Sequence, residues 1–110
     1  MKIAVPTAEG ILSAHFGHCE KFTFVEIENN SVKTKTEKEP PPHEPGVLPA
    51  WLEEEGVNLI IAGGMGQRAQ SLFKSKGIDV IVGAPSLSVE EIIDTYIKGT
   101  LKTGDNVCDH

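Results

Sequence analysis

A chain of 110 residues has room for one hydrophobic core, and its 39% hydrophobic and 24% charged residues are typical of a globular domain. A net charge of −6 disfavours a nucleic-acid partner, because phosphate binding needs clustered Lys and Arg side chains. No apolar stretch approaches the roughly 20 residues of a membrane span, so we expect no membrane partner and a cytoplasmic location. We predict one domain over residues 1–110, with a polar C-terminal tail at residues 100–110.

The first part of the chain predicts three β-strands. An apolar run at residues 2–6 predicts the first strand, and residues 11–19 predict a loop. Residues 22–28 are rich in β-branched and aromatic side chains and have apolar groups on both faces, which predicts a strand covered on both sides. Residues 29–31 favour a tight hairpin turn, and the alternating charges of residues 32–37 are typical of an exposed edge strand.

The second part predicts helices that alternate with strands. A helix is expected from about residue 47, after a proline-rich connector, and another over residues 67–76. In the helix over residues 67–76, the spacing of apolar residues predicts that Ala69, Leu72 and Phe73 face the core. The last helix follows Ser88, which forms a capping box with Glu91.

Continuous apolar runs at residues 57–62 and 78–82 are typical of buried parallel strands. Together with the first three strands they predict a three-layer α/β/α domain with a mixed five-stranded sheet of order 3-2-1-4-5, in which strand 2 is antiparallel. The loops after strands 1 and 4 would open at the same end of the sheet, where α/β proteins place their sites.

The loop after strand 1 concentrates soft metal ligands. It holds His15, His18 and Cys19 within five residues. Imidazole and thiolate side chains suit iron–sulfur species, zinc and copper, whereas the carboxylate spacing of calcium or magnesium sites is absent. The two cysteines of the chain form neither a CxxC motif nor a disulfide framework, and paired zinc motifs are missing.

Three further candidate ligands lie elsewhere in predicted loops. His43 lies in the proline-rich connector, and Cys108 and His110 lie in the C-terminal tail. Each group of candidates has a simpler alternative. His15, near a strand end, could be a hydrogen-bonded structural residue, and His43 could be a polar residue in a surface loop. Cys108 and His110 could belong to a disordered tail. Because all the candidates fall in loops, we favour one shared metal site.

The loop after strand 4 predicts an anion site. Its candidate contacts are the backbone of a glycine loop and the start of the following helix, namely Gly63, Gly64, Met65, Gly66 and Arg68. Backbone amides at a helix N-terminus bind anions, including a metal–sulfur cluster. A dinucleotide is disfavoured, because no carboxylate follows the next strand at residues 82–84. The alternative is a tight turn that lets the helix pack closely on the sheet.

The predicted topology is also that of ribonuclease H. Two-metal phosphodiester cleavage needs several carboxylates at the pocket. The strands predicted at residues 2–6 and 57–62 contain no Asp or Glu, so nuclease activity is disfavoured.

Four stretches together resemble one known family. They are residues 1–7, residues 15–17 followed by 22–27, residues 61–66, and residues 77–84. The chain resembles a small standalone member of the dinitrogenase iron–molybdenum cofactor biosynthesis family, the NifX and NifB C-terminal type. The resemblance covers nearly the whole chain. It implies a ribonuclease-H-like fold without nuclease activity, and a role in carrying iron–molybdenum cofactor, its precursors or related clusters, with contacts at His15 and the glycine loop.

The sequence therefore predicts a non-enzymatic carrier or chaperone for a metal–sulfur cluster of Fe–S or Fe–Mo type. Its partners would be cluster donor and acceptor proteins, and the carrier would be a monomer or weak homodimer. Two alternatives remain open. One is a regulatory module that binds a phosphorylated small molecule or nucleotide at the glycine loop, and the other is a simple zinc or iron chaperone.

Overall fold

One mixed β-sheet with helices on both faces organises the chain. The computed structural model describes residues 1–13, 20–41 and 46–104. Within these ranges, the strands are β1 (Lys2–Ala8), β2 (Ile11–Leu12), β3 (Lys21–Glu28), β4 (Ser31–Lys38), β5 (Leu59–Ile61) and β6 (Asp79–Ile81). The helices are α1 (Val47–Glu54), α2 (Gln67–Ser75) and α3 (Val89–Lys98). None of the helices in these ranges has the length and apolar character needed to cross a bilayer.

The strand order is β4-β3-β1-β5-β6, which confirms the predicted order. β1 pairs in parallel with β5, and β5 with β6, while β1 with β3 and β3 with β4 are antiparallel. One strand was not predicted: β2 pairs with the end of β1, inside the stretch expected to be a loop. Its two residues are too few to show a period in the sequence.

The β3–β4 hairpin has the predicted turn. Asn29 and Asn30 adopt φ angles of 53° and 60°, in the left-handed region that asparagine tolerates better than most residues. Every residue of β4 is exposed, as expected for a charged edge strand.

Two separate hydrophobic clusters cover the two faces of the sheet. On one face, Phe22 and Phe24 of β3 pack with Leu52 of α1 and Phe73 of α2. On the other face, apolar side chains of β1, β3 and β5 pack against α3. Both clusters contain residues from β3, which confirms that this strand is covered on both sides.

An aromatic group joins α1 to the sheet. The ring centroid of Trp51 lies 5.6 Å from those of Phe22 and of Phe24, in edge-to-face geometry in both cases. Such a pair contributes about 0.5–1.5 kcal/mol beyond the area that it buries. The aromatic group therefore fixes α1 over β3.

The predicted inner face of α2 is only partly correct. Phe73 is fully buried and Ala69 packs against the same cluster, but Leu72 is 40% exposed. Consecutive helical residues lie about 100° apart around the axis. Because Ala69 and Phe73 define the inner face, their spacing turns Leu72 toward solvent.

The helix predicted after Ser88 begins there. The Ser88 hydroxyl oxygen accepts a hydrogen bond from the Glu91 amide at 3.3 Å, which is the N-cap half of the predicted capping box. Val89, Ile92 and Ile93 are buried against the sheet.

Electrostatic contacts fix the C-terminal end of α1. The Glu55 carboxylate lies 2.7 Å from Lys38 Nζ and 3.7 Å from Lys2 Nζ. Lys2 Nζ also donates a hydrogen bond to the Glu55 carbonyl oxygen at 2.6 Å. The hydrogen bond from Lys38 is the main cause that lowers the pKa of the Glu55 carboxyl. These contacts connect α1 to the start of β1 and the end of β4.

The substitution Glu55→Gln should make the free energy of unfolding less dependent on pH in the acid range. A carboxyl whose folded-state pKa is lowered contributes stability above its unfolded-state pKa, and loses that contribution as pH falls through the folded-state value. We expect the variant to be less stable by about 0.5–1 kcal/mol at pH 7, with the difference vanishing in acid. Urea unfolding at several pH values measures this. Glu54→Gln, at an exposed position of the same helix, is the matched control. Parallel curves for Glu55→Gln and wild type from pH 7 to acid would contradict the assignment.

Candidate functional site

The carboxyl edge is defined here as the edge of the sheet at which β1, β5 and β6 end. Residues 14–19 lie outside the described residues, but both of their neighbours are fixed at this edge. The Ser13 amide donates to the Pro6 carbonyl oxygen at 2.8 Å, and the Glu20 amide donates to the Thr7 carbonyl oxygen at 2.8 Å. The segment with His15, His18 and Cys19 therefore starts and ends at the carboxyl end of β1.

The proline-rich connector begins at the same edge. β4 and β1 are both antiparallel to β3, so they run in the same direction. Lys21 pairs with Thr7, and Phe22 pairs with Lys38, which aligns the ends of β1 and β4. The chain thus leaves β4 at the carboxyl edge, before residues 42–45, which the structure does not describe.

The glycine loop follows β5 and extends its pairing with β6. The Ala62 amide donates to the Ile81 carbonyl oxygen at 2.9 Å, the Ala84 amide to the Ala62 carbonyl oxygen at 3.1 Å, and the Gly83 amide to the Gly63 carbonyl oxygen at 2.8 Å. These bonds fix the start of the loop to the segment after β6. Gly63 and Gly64 are buried, whereas Gly66 is exposed.

The glycine loop ends at the N-terminus of α2. Gly66 is the N-cap residue, with extended backbone angles (φ −64°, ψ 154°), and it has no side chain that could cap the helix. The N-terminus of a helix carries a partial positive charge from its backbone amides. Arg68, in the first turn of α2, is exposed. Amide dipoles and a guanidinium group therefore lie at the same end of α2.

Met65 has a structural role that the sequence did not indicate. Its side chain is 1% exposed and belongs to the cluster under α1 and α2. Its carbonyl oxygen accepts a hydrogen bond from Gln70 Nε2 at 2.9 Å. The side chain stabilises the loop from beneath, and the predicted contact of Met65 with a ligand stays a prediction.

The start of the C-terminal tail is fixed beside the glycine loop. Leu101 packs against the cluster under α3, and the Gly104 amide donates to the Gly83 carbonyl oxygen at 2.7 Å. Gly83 was not among the predicted site residues. The signal available in the sequence was a single glycine after a strand, which often marks a close approach of two backbones.

The six predicted metal ligands lie outside the described residues: His15, His18, Cys19, His43, Cys108 and His110. They include every histidine and cysteine of the chain. Residues 1–13, 20–41 and 46–104 contain no group of three or more side chains that could hold a metal ion. Since the candidate ligands lie elsewhere, this result does not test them, and their roles stay predictions.

The fold and the loops define a class of protein: an α/β/α domain in which the ends of several loops meet at the carboxyl edge of a mixed sheet. Residues 1–99 match the family model described as "Dinitrogenase iron-molybdenum cofactor". The chain belongs to this family, which confirms the resemblance noted in its sequence.

Individual relatives agree with this assignment. An uncharacterized protein of Methanocaldococcus jannaschii is 43% identical over 107 residues, which cover 93% of this chain and 90% of that protein. The crystal structure of PH0822 is 34% identical, with a TM-score of 0.88 and 94% of each chain covered. A crystal structure from M. jannaschii described as a candidate dinitrogenase (mj0327) is 25% identical, with a TM-score of 0.78 and 96% of each chain covered.

The substitution Gly66→Ser should stabilise the protein slightly. The backbone angles of Gly66 suit any residue, a Cβ atom there meets nothing within 4 Å, and a serine hydroxyl can accept a hydrogen bond from the first turn of α2. We expect a gain of about 0.2–0.5 kcal/mol in the free energy of unfolding, measured by urea titration. Gly77→Ser is the control. Its φ angle of 76° should make the same change destabilising by about 1–2 kcal/mol. A loss of stability in Gly66→Ser would contradict the described geometry of the loop.

Proposed function

We propose that the protein is a non-enzymatic carrier that binds a preformed, anionic metal–sulfur cluster of iron–molybdenum cofactor or iron–sulfur type for cofactor assembly. One observation carries the proposal. The described neighbours of the segments with candidate ligands lie at the same edge of the sheet as the glycine loop. Membership of a family named for the dinitrogenase iron–molybdenum cofactor supports the choice of cargo.

The candidate ligands can reach one another. Adjacent strands lie about 4.8 Å apart, so the ends of β1 and β6, on either side of β5, are separated by about 10 Å. The four residues that follow Gly104, up to and including Cys108, can span at most about 14 Å. Cys108 is therefore within reach of the loop that holds His15, His18 and Cys19. The thiolate and imidazole groups of these segments are ligand types that suit the iron atoms of an iron–sulfur cluster.

The negative charge of a cluster needs a local counterpart, because the net charge of the chain is −6. The amide dipoles at the N-terminus of α2 and the guanidinium group of Arg68 supply it at the carboxyl edge. In the proposed carrier, His15, His18 and Cys19 form one wall, the glycine loop forms the other, and His43, Cys108 and His110 close over the cargo.

The composition of the central strands favours carriage over hydrolysis. β1 and β5 contain no Asp or Glu, so they do not supply the carboxylates that a two-metal nuclease of this topology needs. A carrier needs only reversible ligation, together with donor and acceptor proteins that exchange the cluster with it.

A phosphorylated small molecule or nucleotide is the second candidate ligand, because the N-terminus of α2 would favour any compact anion. Thermal shifts separate the two ligands. Stabilisation by nucleotides that persists in a Cys19→Ser, Cys108→Ser variant would support the second candidate. A zinc or iron chaperone would instead take up bare metal ions in air with simple stoichiometry.

Anaerobic reconstitution with iron and sulfide, or with thiomolybdate, tests the proposed carrier. The wild type should gain charge-transfer absorption bands and bound metal. The double variant His15→Ala, Cys19→Ser should lose at least about tenfold in affinity, because losing even an outer-shell partner of a metal ligand typically weakens binding about 10- to 100-fold. Circular dichroism and urea unfolding establish that the variant is folded. The proposal is wrong if the wild type acquires no bands, or if the double variant binds as well as wild type.

The contribution of the glycine loop can be tested with two variants at Gly66. Gly66→Ser and Gly66→Asp both cap α2 and should be at least as stable as wild type. Only the aspartate places a negative charge beside the anionic cargo. We expect Gly66→Asp to weaken cluster binding about three- to tenfold more than Gly66→Ser, with the difference decreasing at high salt. Equal affinities of the two variants would exclude electrostatic binding at this loop.

A further inference from the structure

The outer side of β4 is an unpaired strand edge. Within the part of the chain that the structure describes, β4 pairs with β3 alone, and all of its 8 residues are exposed. The strand at the other edge of the sheet, β6, has only 3 residues. An unpaired edge presents backbone N–H and C=O groups to which a further strand can bond. The long edge of β4 is therefore the side of the sheet at which another strand could be added.

The regular part of this side is residues 34–38, which we name the β4 edge. A bulge interrupts the pairing with β3 between Glu26 and Ile27. Beyond the bulge, the register continues without a break from Thr34 opposite Glu26 to Lys38 opposite Phe22. Bulges and prolines are two of the features that keep strand edges from pairing. The β4 edge contains neither, so its charged side chains decide what can pair with it.

The hydrogen bonds of the neighbouring strands show which backbone groups of the β4 edge face outward. The Met1 amine donates to the Ile27 carbonyl oxygen at 3.1 Å, and the Ile27 amide donates to the Met1 carbonyl oxygen at 2.8 Å. Such pairs alternate along an antiparallel ladder, so the odd-numbered residues of β3 bond to β1 and the even-numbered ones bond to β4. The residues of the β4 edge opposite the even-numbered ones bond to β3; they are Thr34, Thr36 and Lys38. Lys35 and Glu37 therefore direct their backbone groups outward.

One symmetric register of two β4 edges joins opposite charges. In an antiparallel pair of identical strands, residues with outward backbone groups must lie opposite one another. With Thr36 on the two-fold axis, Lys35 lies opposite Glu37 of the second copy, and Glu37 lies opposite Lys35 of the second copy. The neighbouring registers place either Lys35 or Glu37 on the axis, opposite its own copy. Like charges directly opposite destabilise a pair of strands, so the register centred on Thr36 is favoured.

The present contacts of these two side chains leave them available. The side chain of Lys35 is 40% exposed and that of Glu37 is 52% exposed. Lys35 forms an ion pair with Glu90 of α3, and Glu37 lies 3.8 Å from Lys21 Nζ. Ion pairs at exposed positions contribute little to stability, so exchanging them for pairs with a second copy costs little.

We propose that two copies of this chain associate through their β4 edges, in antiparallel register with Thr36 on the two-fold axis, and so form one continuous sheet. The proposal goes beyond the carrier function and does not rest on it. Five residues on each side bury less than the roughly 1,200 Å² of a stable interface, so we expect a weak dimer, populated at about 0.1–1 mM protein. Because the two β4 strands run in opposite directions, the carboxyl edges of the two copies lie at opposite ends of the joined sheet.

Charge reversal at the β4 edge tests the proposal. Lys35→Glu and Glu37→Lys each turn two attractive pairs of the dimer into two repulsive pairs. Sedimentation equilibrium up to about 1 mM should show that the Kd of the dimer rises at least about fivefold in each variant. The matched controls are Lys74→Glu on α2 and Glu54→Lys on α1, which make the same changes of charge at exposed positions and should match wild type. Circular dichroism and urea unfolding establish that all four variants are folded.

A mixture of the two edge variants separates pairing from a general effect of charge. When Lys35→Glu meets Glu37→Lys in the proposed register, every charged position lies opposite a charge of the other sign. Native mass spectrometry of the equimolar mixture should therefore show a heterodimer at least as tight as the wild-type homodimer, although each variant alone stays monomeric at the same concentration.

Hydrogen exchange of the wild type tests the backbone pairing without any substitution. The amides of Lys35 and Glu37 face outward, so their exchange should slow at least about fivefold when the protein concentration is raised until the dimer predominates. The amides of Thr34 and Thr36 already bond to β3 and should be protected in the monomer as well.

Three results would overturn the proposal. A wild-type protein that stays monomeric at about 1 mM has no such dimer. A dimer that both edge variants form as readily as wild type uses another surface. Failure of the folded edge variants to form a heterodimer, or unchanged exchange of the Lys35 and Glu37 amides in the dimer, would exclude the proposed register. All of these measurements are made without a cluster, so failure of the carrier function would leave their outcome unaffected.

Discussion

The parallel pairing of β1 with β5 is the constraint on which the rest of the structure depends. It is short, with Ile3 opposite Leu59 and Ala4 opposite Ile60. Because the two strands run in the same direction, the loops that follow them open at the same edge. On the other side of β1, antiparallel pairing with β3 and then β4 returns the chain to that edge before α1. One register therefore determines where the glycine loop and the two segments with candidate ligands begin.

The helices that pack on the two faces of the sheet hold the carboxyl edge in place. α1 and α2 cover one face over a shared hydrophobic cluster, and α3 covers the other face over the second cluster. Met65 shows how the edge is connected to the core, because the residue lies within the glycine loop and yet its side chain is fully packed. A loop fixed in this way can present its backbone amides in one arrangement, so a ligand that binds them avoids the entropy cost of ordering the loop.

Much of this fold could be predicted from the sequence, because the apolar residues of most strands and helices recur at the spacing typical of that element. Apolar runs predicted β5 and β6, helical spacing with Ser88 predicted α3, and their alternation predicted the strand order. β2 was missed because two residues show no period, and Leu72 was misplaced because a pattern of apolar residues does not fix the rotation of a helix to within one position. The candidate ligands could be predicted only as residue types in loops. For Gly83 the sequence offered only a glycine after a strand, and its partner Gly104 could not be predicted, because no local pattern encodes a contact between two loops.

The glycines near the site illustrate why composition alone is a weak guide to function. Gly66 lies in open space with a backbone that any residue can adopt, so stability does not require glycine there. Gly77 is required for its left-handed φ angle, and Gly83 for both its φ angle and the approach of Gly104. Gly66 gives α2 no side-chain cap, which suits the anion proposed to bind at this N-terminus. The proposed anion site therefore costs the protein only the small stabilisation that a serine cap would give at position 66.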